Sequence, residues 1–495
     1  LTTASTIRSK LAPLVLAVTV ACLPVHAQLP SLGEGTDMAV SAERKLGEKI
    51  ARELYRDPDF IEDPVLDEYV LGIWTKLLTA SRARGELAPE FDDRFAWDVL
   101  LGKDRTINAF ALPGGWMGLH LGLISATANR NELASVLAHE LSHVTQRHIS
   151  RMMTEQNKQM PMLLGAMILG AIAAGRSVDA AQAAIVGGQA MAMQNQLNFS
   201  RDMEREADRV GFAVATQAGF DPQGFVGMFD KLQQASRLND SGAFPYLRTH
   251  PLTSERIADM QSRIPLARAS TPAPDMVHAL MAGRAKVLSN PGVDVLRSFL
   301  NEEALQPGNP ARQAGALYAA ALASSKLRDF NGALALTRRL AQVTAGDPEA
   351  SRQATLLAAE IALQAGDPTR ATALADSDRR PELILASQAR IRSGRAADAS
   401  EQLQTWVTLH PKDAQAWELL SQAYNAQGQA LRAIRADAEA QVAHLDYQAA
   451  MDRFKAAQDL ARKAPPGARD HIEASIIDAR ARQVASLLRE QSLER

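Results

Sequence analysis

His139, Glu140 and His143 form an HExxH pattern inside the stretch from Asn131 to His148. Leu133, Val136, Leu137, Leu141 and Val144 recur there at helical spacing, and no Pro or Gly interrupts them, which predicts a helix. Residues four apart on a helix share a face. His139 and His143 can therefore direct two imidazoles at one metal ion, with Glu140 beside them as general base for a water that the metal activates. The alternative is an ordinary amphipathic helix that carries these residues by coincidence.

A catalytic zinc site needs a third protein ligand and one open position. Downstream, the stretch from Phe199 to Gly211 reads FSRDMEREADRVG and again has helical character. Glu204, Ala207 and Asp208 fall near one face of that helix. Glu204 can supply the carboxylate ligand, and Asp208, one turn on, can accept an N–H from a ligating histidine and fix its ring. A solvated helix face of alternating charge is the competing reading.

With these two motifs in place, the chain resembles the HtpX-like and CAAX-prenyl-endopeptidase family of zinc peptidases (gluzincins). Within it, the chain is most similar to the periplasmic members that tend outer-membrane β-barrel assembly. The resembling stretches run in the family's order across residues 36 to 262: INAFALPGG from Ile107, LAHELSHVTQRH from Leu137, SRDMEREAD from Ser200, AGFDP from Ala218 and THPL from Thr249. The resemblance implies His139, His143 and Glu204 as ligands of one zinc ion, Glu140 as catalytic base and Asp208 as support for a ligand. It also implies that His250 is a regulatory residue able to take the open zinc position. His250 lies between Pro245 and Pro251, in a stretch that reads as a loop. A neutral imidazole there would close the site and leave the enzyme latent until a client or partner displaced it. The opposite reading is that His250 stabilises the transition state from outside the zinc shell.

These side chains need a scaffold. Residues 41 to 82 carry a helical period through Leu46, Ile50, Leu54, Leu66, Tyr69, Val70, Ile73 and Leu77. Residues 95–101, 106–111 and 116–120 read as short strands, with a turn at Pro113, Gly114 and Gly115. An exposed strand edge beside the zinc helix would hold an extended peptide as an added strand. Asn108, Ala109, Phe110 and Ala111 are the candidates for that edge, and a plain core strand is the alternative.

The remainder bounds the setting. Arg8 and Lys10 precede an apolar run from Leu11 to Leu23 and then Val25, His26 and Ala27, the pattern of a secretory signal cleaved after Ala27. A lipoprotein acylated at Cys22 fits less well. Cys22 is the only cysteine, so no disulfide framework is expected. A net charge of −2 gives no general attraction to nucleic acid. Residues 151–198 are apolar and Met-rich, expected either as a core helix pair or as a lid that also touches membrane or unfolded clients. Residues 263–275 are rich in Pro and small residues, as a linker would be.

Beyond the linker, residues 276–495 are Ala-rich and helical by pattern. An Ala recurs five residues after a turn residue, in the pairs Arg328/Ala333, Gly366/Ala371, Gly394/Ala399, Gly428/Ala433 and Leu445/Ala450. Trp417, Leu420, Tyr424, Ala433 and Ala440 fit one tetratricopeptide repeat (TPR). About four degenerate repeats are expected, able to fold alone and to bind protein.

The expected fold is α+β, mostly α: a zincin metallopeptidase domain over 36–262 followed by an α-helical TPR solenoid. As the resemblance implies, the substrates are protein, unfolded or misassembled outer-membrane chains, and the β-barrel assembly machinery is a partner through the repeats. Other classes are a chaperone or assembly scaffold with a silent protease, a metal-storage role for the histidines, and a TPR adaptor with a vestigial catalytic half.

Overall fold

The computed structural model describes residues 38–155, 201–237, 245–264, 275–289, 291–301, 308–375, 377–465 and 470–492. The expected signal at 1–27, nearly all of the expected lid and residues 265–274 of the expected linker lie outside them. The described residues fall in one compact unit, 38–495. The fold is α+β and mostly α, with one small sheet.

Helix α1 (Val40–Arg56) buries Leu46, Ile50 and Leu54. Residues 41–82, expected as helical, are interrupted at 57–63. The chain leaves the helix after Arg56, forms the short strand β1 (Phe60–Ile61) and re-enters as α2 (Pro64–Ala83). Pro58 and Pro64 punctuate this break. Pro64 takes the first helical position, where its missing N–H costs nothing, and the Asp63 side chain caps α2 by accepting from Leu66 N.

After the short α3 (Pro89–Asp92) come β2 (Asp98–Gly102), β3 (Ala109–Ala111) and β4 (Trp116–His120). Two expected strands are shorter than read: Trp97 has φ 52°, which keeps residues 95–97 out of the ladder, and the second strand begins only at Ala109. The sheet order is β1-β2-β4-β3. Strand β4 runs parallel to β2, with Met117 opposite Val99, and antiparallel to β3, with Gly118 opposite Phe110. The Pro113–Gly115 turn is a single 3-10 turn in which Gly114 and Gly115 have φ of 73° and 81°, a region glycine enters without steric cost. The topology puts β3 at the edge.

Next follow α4 (Leu121–Ala126), α5 (Arg130–Thr145), α6 (His148–Glu155), α7 (Arg201–Gln217), α8 (Gln223–Arg237), α9 (Tyr246–Thr249) and α10 (Ser254–Ser262). Helix α5 is the hub. Asn129 caps it by accepting from Asn131 N and Glu132 N, and every residue from Glu132 to Thr145 is buried. The apolar stripe read in the sequence is thus one face of a helix covered all round. Helix α7 crosses α5 at Gly211, where an added Cβ would lie 3.0 Å from the Ala138 carbonyl and the His139 nitrogen. That close approach needs a residue without a side chain.

The C-terminal half stacks helix on helix: α11 (Met276–Leu288), α12 (Val293–Ser298), α13 (Pro310–Lys326), α14 (Phe330–Thr344), α15 (Pro348–Gln364), α16 (Thr369–Thr372), α17 (Arg380–Arg392), α18 (Ala396–Leu409), α19 (Ala414–Ala426), α20 (Ala430–Ala443), α21 (Tyr447–Lys463) and α22 (His471–Ser492). All five turn residues read from the sequence adopt positive φ: Arg328, Gly366, Gly394, Gly428 and Leu445. The five paired alanines are buried where neighbouring helices meet.

One apolar cluster runs without a break from Leu46 to Ala389, across the expected linker. An ionic seam follows it. Arg284 pairs with Asp63 at 2.6 Å, Arg352 with Glu68 at 2.7 Å, Arg380 with Asp67 at 2.9 Å and His444 with Glu62 at 2.6 Å. Among the described residues, no helix is long and apolar enough to cross a membrane.

Candidate active site

Helix α5 presents His139 and His143 one turn apart, and α7 presents Glu204 and Asp208 one turn apart toward them. His250 ends α9, and its ring stacks on Tyr246 with centroids 4.5 Å apart. One donor atom each from His139, His143, Glu204 and His250 lies within 4.8 Å of the others, and all four residues are buried.

The spacing fits a metal. His139 Nε2 is 3.0 Å from His143 Nε2, 3.3 Å from His250 Nδ1 and 3.4 Å from Glu204 Oε2. Glu204 Oε1 is 3.5 Å from His143 Nε2 and 3.0 Å from His250 Nδ1. The edges of a zinc tetrahedron with bonds of about 2.0–2.1 Å are about 3.3 Å long. Three imidazole nitrogens and a carboxylate oxygen that converge in one buried spot form a donor set for a cation.

Beyond the donor atoms, His139 Nδ1 lies 2.9 Å from Asp208 Oδ1. Asp208 accepts both prongs of the Arg256 guanidinium, at 2.6 and 2.8 Å. The same guanidinium reaches Glu204 Oε2 at 2.7 Å and donates to the Pro251 carbonyl at 2.8 Å. Arg256 thereby ties a candidate ligand, the support of another and the His250 loop to one buried cation. On the other ligand, His143 Nδ1 meets His148 Nδ1 at 2.8 Å, and His148 Nε2 meets Glu206 Oε2 at 3.0 Å.

Charge follows from this packing. Burial opposes a charged His139, but the Asp208 and Glu204 carboxylates prevail and hold its pKa up to about 10. Burial beside His139 drives His143 well below its ordinary range. Burial also disfavours the Glu204 carboxylate, yet His250 and His139 keep it well below the usual value. Asp208 is lowered too, against its burial, by Arg256 and His139.

Glu140 sits on α5 beside the donors. Its Oε2 accepts from Ala111 N at 3.0 Å. Its Oε1 is buried without a hydrogen bond and lies 3.4 Å from His250 Nε2. The candidate edge strand is therefore next to the candidate base. Asn108 accepts from His120 N and Leu112 N donates to Trp116 O, so residues 108, 110 and 112 face β4. By alternation, Ala109 and Ala111 turn their backbone groups outward. Phe110 covers Gly118 with its ring. Of the four residues read as one edge, Ala109 turns both backbone groups outward, and Ala111 only its carbonyl, since its N–H is given to Glu140.

The structure brings together all six residues expected from the sequence: His139, Glu140, His143, Glu204, Asp208 and His250. Arg256, Tyr246, His148 and Glu206 join them without a signal in the sequence. Arg256 follows a loop, so no periodicity links it to the centre. His148 is five residues past His143, off its helical face, and only the break after α5 returns it.

The pattern of peptidase family M48 matches residues 86–264. The beta-barrel assembly-enhancing protease of Escherichia coli is 30% identical over 402 residues, which cover 80% of this chain and 80% of that protein. The chain belongs to this family. It is a metalloprotease of the M48 type. A Vibrio cholerae protein that carries the same name provisionally is 36% identical over 261 residues, 50% of this chain. That match spans about half (51%) of the Vibrio protein's length. The mitochondrial metalloendopeptidase OMA1 of Arabidopsis thaliana is 28% identical over 195 residues, 39% of this chain and 36% of its own. The M48 match ends before α11, whereas the E. coli match is too long to be confined to the catalytic half.

Proposed function

We propose that this M48 protease holds one zinc ion with His139, His143 and Glu204 and cleaves protein chains with Glu140 as base. The observation that carries this reading is the convergence of four donor atoms within 4.8 Å, beside a glutamate bonded to an edge strand. Bound there, zinc would supply a Lewis acid that polarises the scissile carbonyl and acidifies water enough for attack near neutral pH. An extended substrate pairs with the outward groups of Ala109 and with the Ala111 carbonyl, which lays its backbone beside Glu140. Glu140 takes the proton of the attacking water and passes it to the leaving amine. Asp208 orients His139, and Arg256 restrains the second oxygen of Glu204.

His250 acts as a plug. Its Nδ1 faces the donor cluster, which supports its taking the position the attacking water needs. The site is then closed, as in a structural zinc centre, and the protease is latent. A client or partner opens it by moving the loop between α9 and α10. The position of His250 also favours a second reading, a mainly non-proteolytic chaperone or scaffold.

The clients are unfolded or misassembled outer-membrane proteins, and the cell compartment is the periplasm, reached with a signal cleaved after Ala27. The bacterial relatives are named for enhancing β-barrel assembly, which supports clients of that class. Residues 276–495 form a TPR-like domain that engages protein partners, including the β-barrel assembly machinery. Its support is the left-handed turn and buried Ala that recur at five junctions between its helices.

Metal analysis with casein digestion tests the core of the proposal. Wild type should carry about one zinc, as the ligand count requires. His139→Ala and His143→Ala should lose most of it. Glu140→Gln should keep zinc and lose about 10²- to 10⁴-fold in cleavage rate. Vigorous cleavage by Glu140→Gln would remove Glu140 from the mechanism. His250→Ala should raise casein and self-digestion. A fall in both with zinc retained would eliminate the plug and favour transition-state stabilisation.

A further inference from the structure

His148 is buried and takes no part in the chemistry above. On an uninterrupted helix, five residues turn through about 500°, which would leave His148 about 140° away from His143. The chain avoids this. Helix α5 ends at Thr145, Arg147 takes φ 54°, and α6 starts at His148. Arg147 holds the break through Glu43 at 3.1 Å and Ser150 Oγ at 3.0 Å. The His148 ring returns edge-on beneath His143, with centroids 4.8 Å apart at 75°.

The hydrogen bonds set the order of protons along this chain of groups. His143 turns Nε2 to the donor cluster, so its neutral ring carries the proton on Nδ1. That proton points at His148 Nδ1, 2.8 Å away, which must accept it. The His148 proton is then on Nε2 and is donated to Glu206 Oε2 at 3.0 Å. A carboxylate only accepts, and Arg151 donates to the same oxygen at 2.9 Å, so the chain cannot run the other way.

From this geometry we infer that His148 is a positioning residue for the metal centre: with Glu206 it fixes the ring orientation and tautomer of His143 and raises the basicity of its metal-facing nitrogen. The inference rests on the zinc reading. The two histidines are thus supported by different means. Asp208 faces His139 directly, whereas a neutral imidazole separates His143 from the Glu206 carboxylate, and the buried centre gains no further negative charge.

The test compares His148→Phe, which fills the ring volume without an acceptor, with His148→Asn, which restores an acceptor near the Nδ1 position. Zinc dissociation constants come from competition with a chelator, and cobalt-loaded protein reports the ligand field in its visible spectrum. His148→Phe should bind zinc about 10- to 100-fold more weakly and shift the cobalt bands. His148→Asn should recover most of both. Circular-dichroism melts of the metal-free variants check the fold. If His148→Phe does not fold, Glu206→Leu serves instead, at a partly exposed position, with a loss of about tenfold expected. Wild-type zinc affinity with an unchanged cobalt spectrum in His148→Phe, while His143→Ala loses the metal, would overturn the relay alone. Equal loss in the Phe and Asn variants would reduce His148 to a packing role and also overturn it. A wild-type chain that binds no zinc would overturn the site reading beneath it.

Discussion

At the scale of single residues, Arg256 joins parts of the site that the sequence offers no reason to connect: Glu204, Asp208 and the His250 loop. It is the buried cation facing two buried carboxylates, Glu204 and Asp208. Breaking such a cluster from one side leaves uncompensated charge in a low dielectric. Arg256→Ala should therefore lower the stability of the metal-free protein by about 3–5 kcal/mol. Arg256→Lys should recover only part, because an ammonium cannot reproduce the two-pronged bond to Asp208. Urea midpoints of the three proteins check this, and an unchanged midpoint in Arg256→Ala would show that the carboxylates find another partner.

At the scale of elements, the α5–α7 crossing and the β3 edge decide whether the site exists. Gly211→Val adds a branched side chain where even an added Cβ would lie 3.0 Å from the α5 backbone. It should cost about 1–3 kcal/mol. It should also weaken zinc binding, since Glu204 lies two turns away on the same face of α7. Full zinc affinity with normal stability in that variant would mean that the crossing is compliant. On the sheet, Ala109→Pro removes one outward N–H and leaves the bonds of residues 108 and 112 to β4 in place. Proline is tolerated at such an edge. The expected result is a raised KM for peptide substrates with zinc content unchanged, and an unaltered KM would argue against strand addition at β3. The same element shows how far alternation reads. A period of two can nominate residues 106–111 as a strand, but which of them face outward depends on pairing with β4.

At the scale of the whole described unit, the seam between α2 and the helical half couples the site to the repeats. Helix α2 packs on α5 and α7 and also on α11 and α17. The expected boundary at 263–275 therefore separates chain segments that share one apolar cluster. A fragment of residues 276–495 should be strongly helical and melt cooperatively. It should melt lower than the full chain, because Arg284 loses Asp63 and Arg352 loses Glu68. A disordered fragment would show that the repeats need the catalytic half to fold. Acid should weaken the same architecture. Asp275 and Asp413 are held below the ordinary carboxylate range despite their burial, through Arg130 and Arg380. Their contribution is complete above the unfolded value of about 4 and is lost as pH falls through the lower folded value. Stability measured against pH should thus fall below about pH 4, and Asp275→Asn or Asp413→Asn should flatten that limb.

What was legible in the chain follows from which interactions are local. His139 and His143 share a helix face at a fixed spacing, so HExxH announces itself wherever a helix forms. Glu204 and Asp208 obey the same rule on a second helix. The five turn residues from Arg328 to Leu445 and their buried alanines could be read because each helix pair repeats a local geometry. None of this says that α5 is buried on every side, that β3 is the edge strand or that the first break falls at residues 57–63. Those facts depend on strand order and on partners distant in sequence, such as Gly211 against Ala138 and Phe110 over Gly118. Arg256, His148 and Glu206 lay beyond sequence reasoning for the same reason. Their roles arise from a loop and a left-handed break that change direction, and periodicity does not cross a change of direction. Local spacing determined which residues could do chemistry here; long-range packing alone decided how those residues are held and which backbone they face.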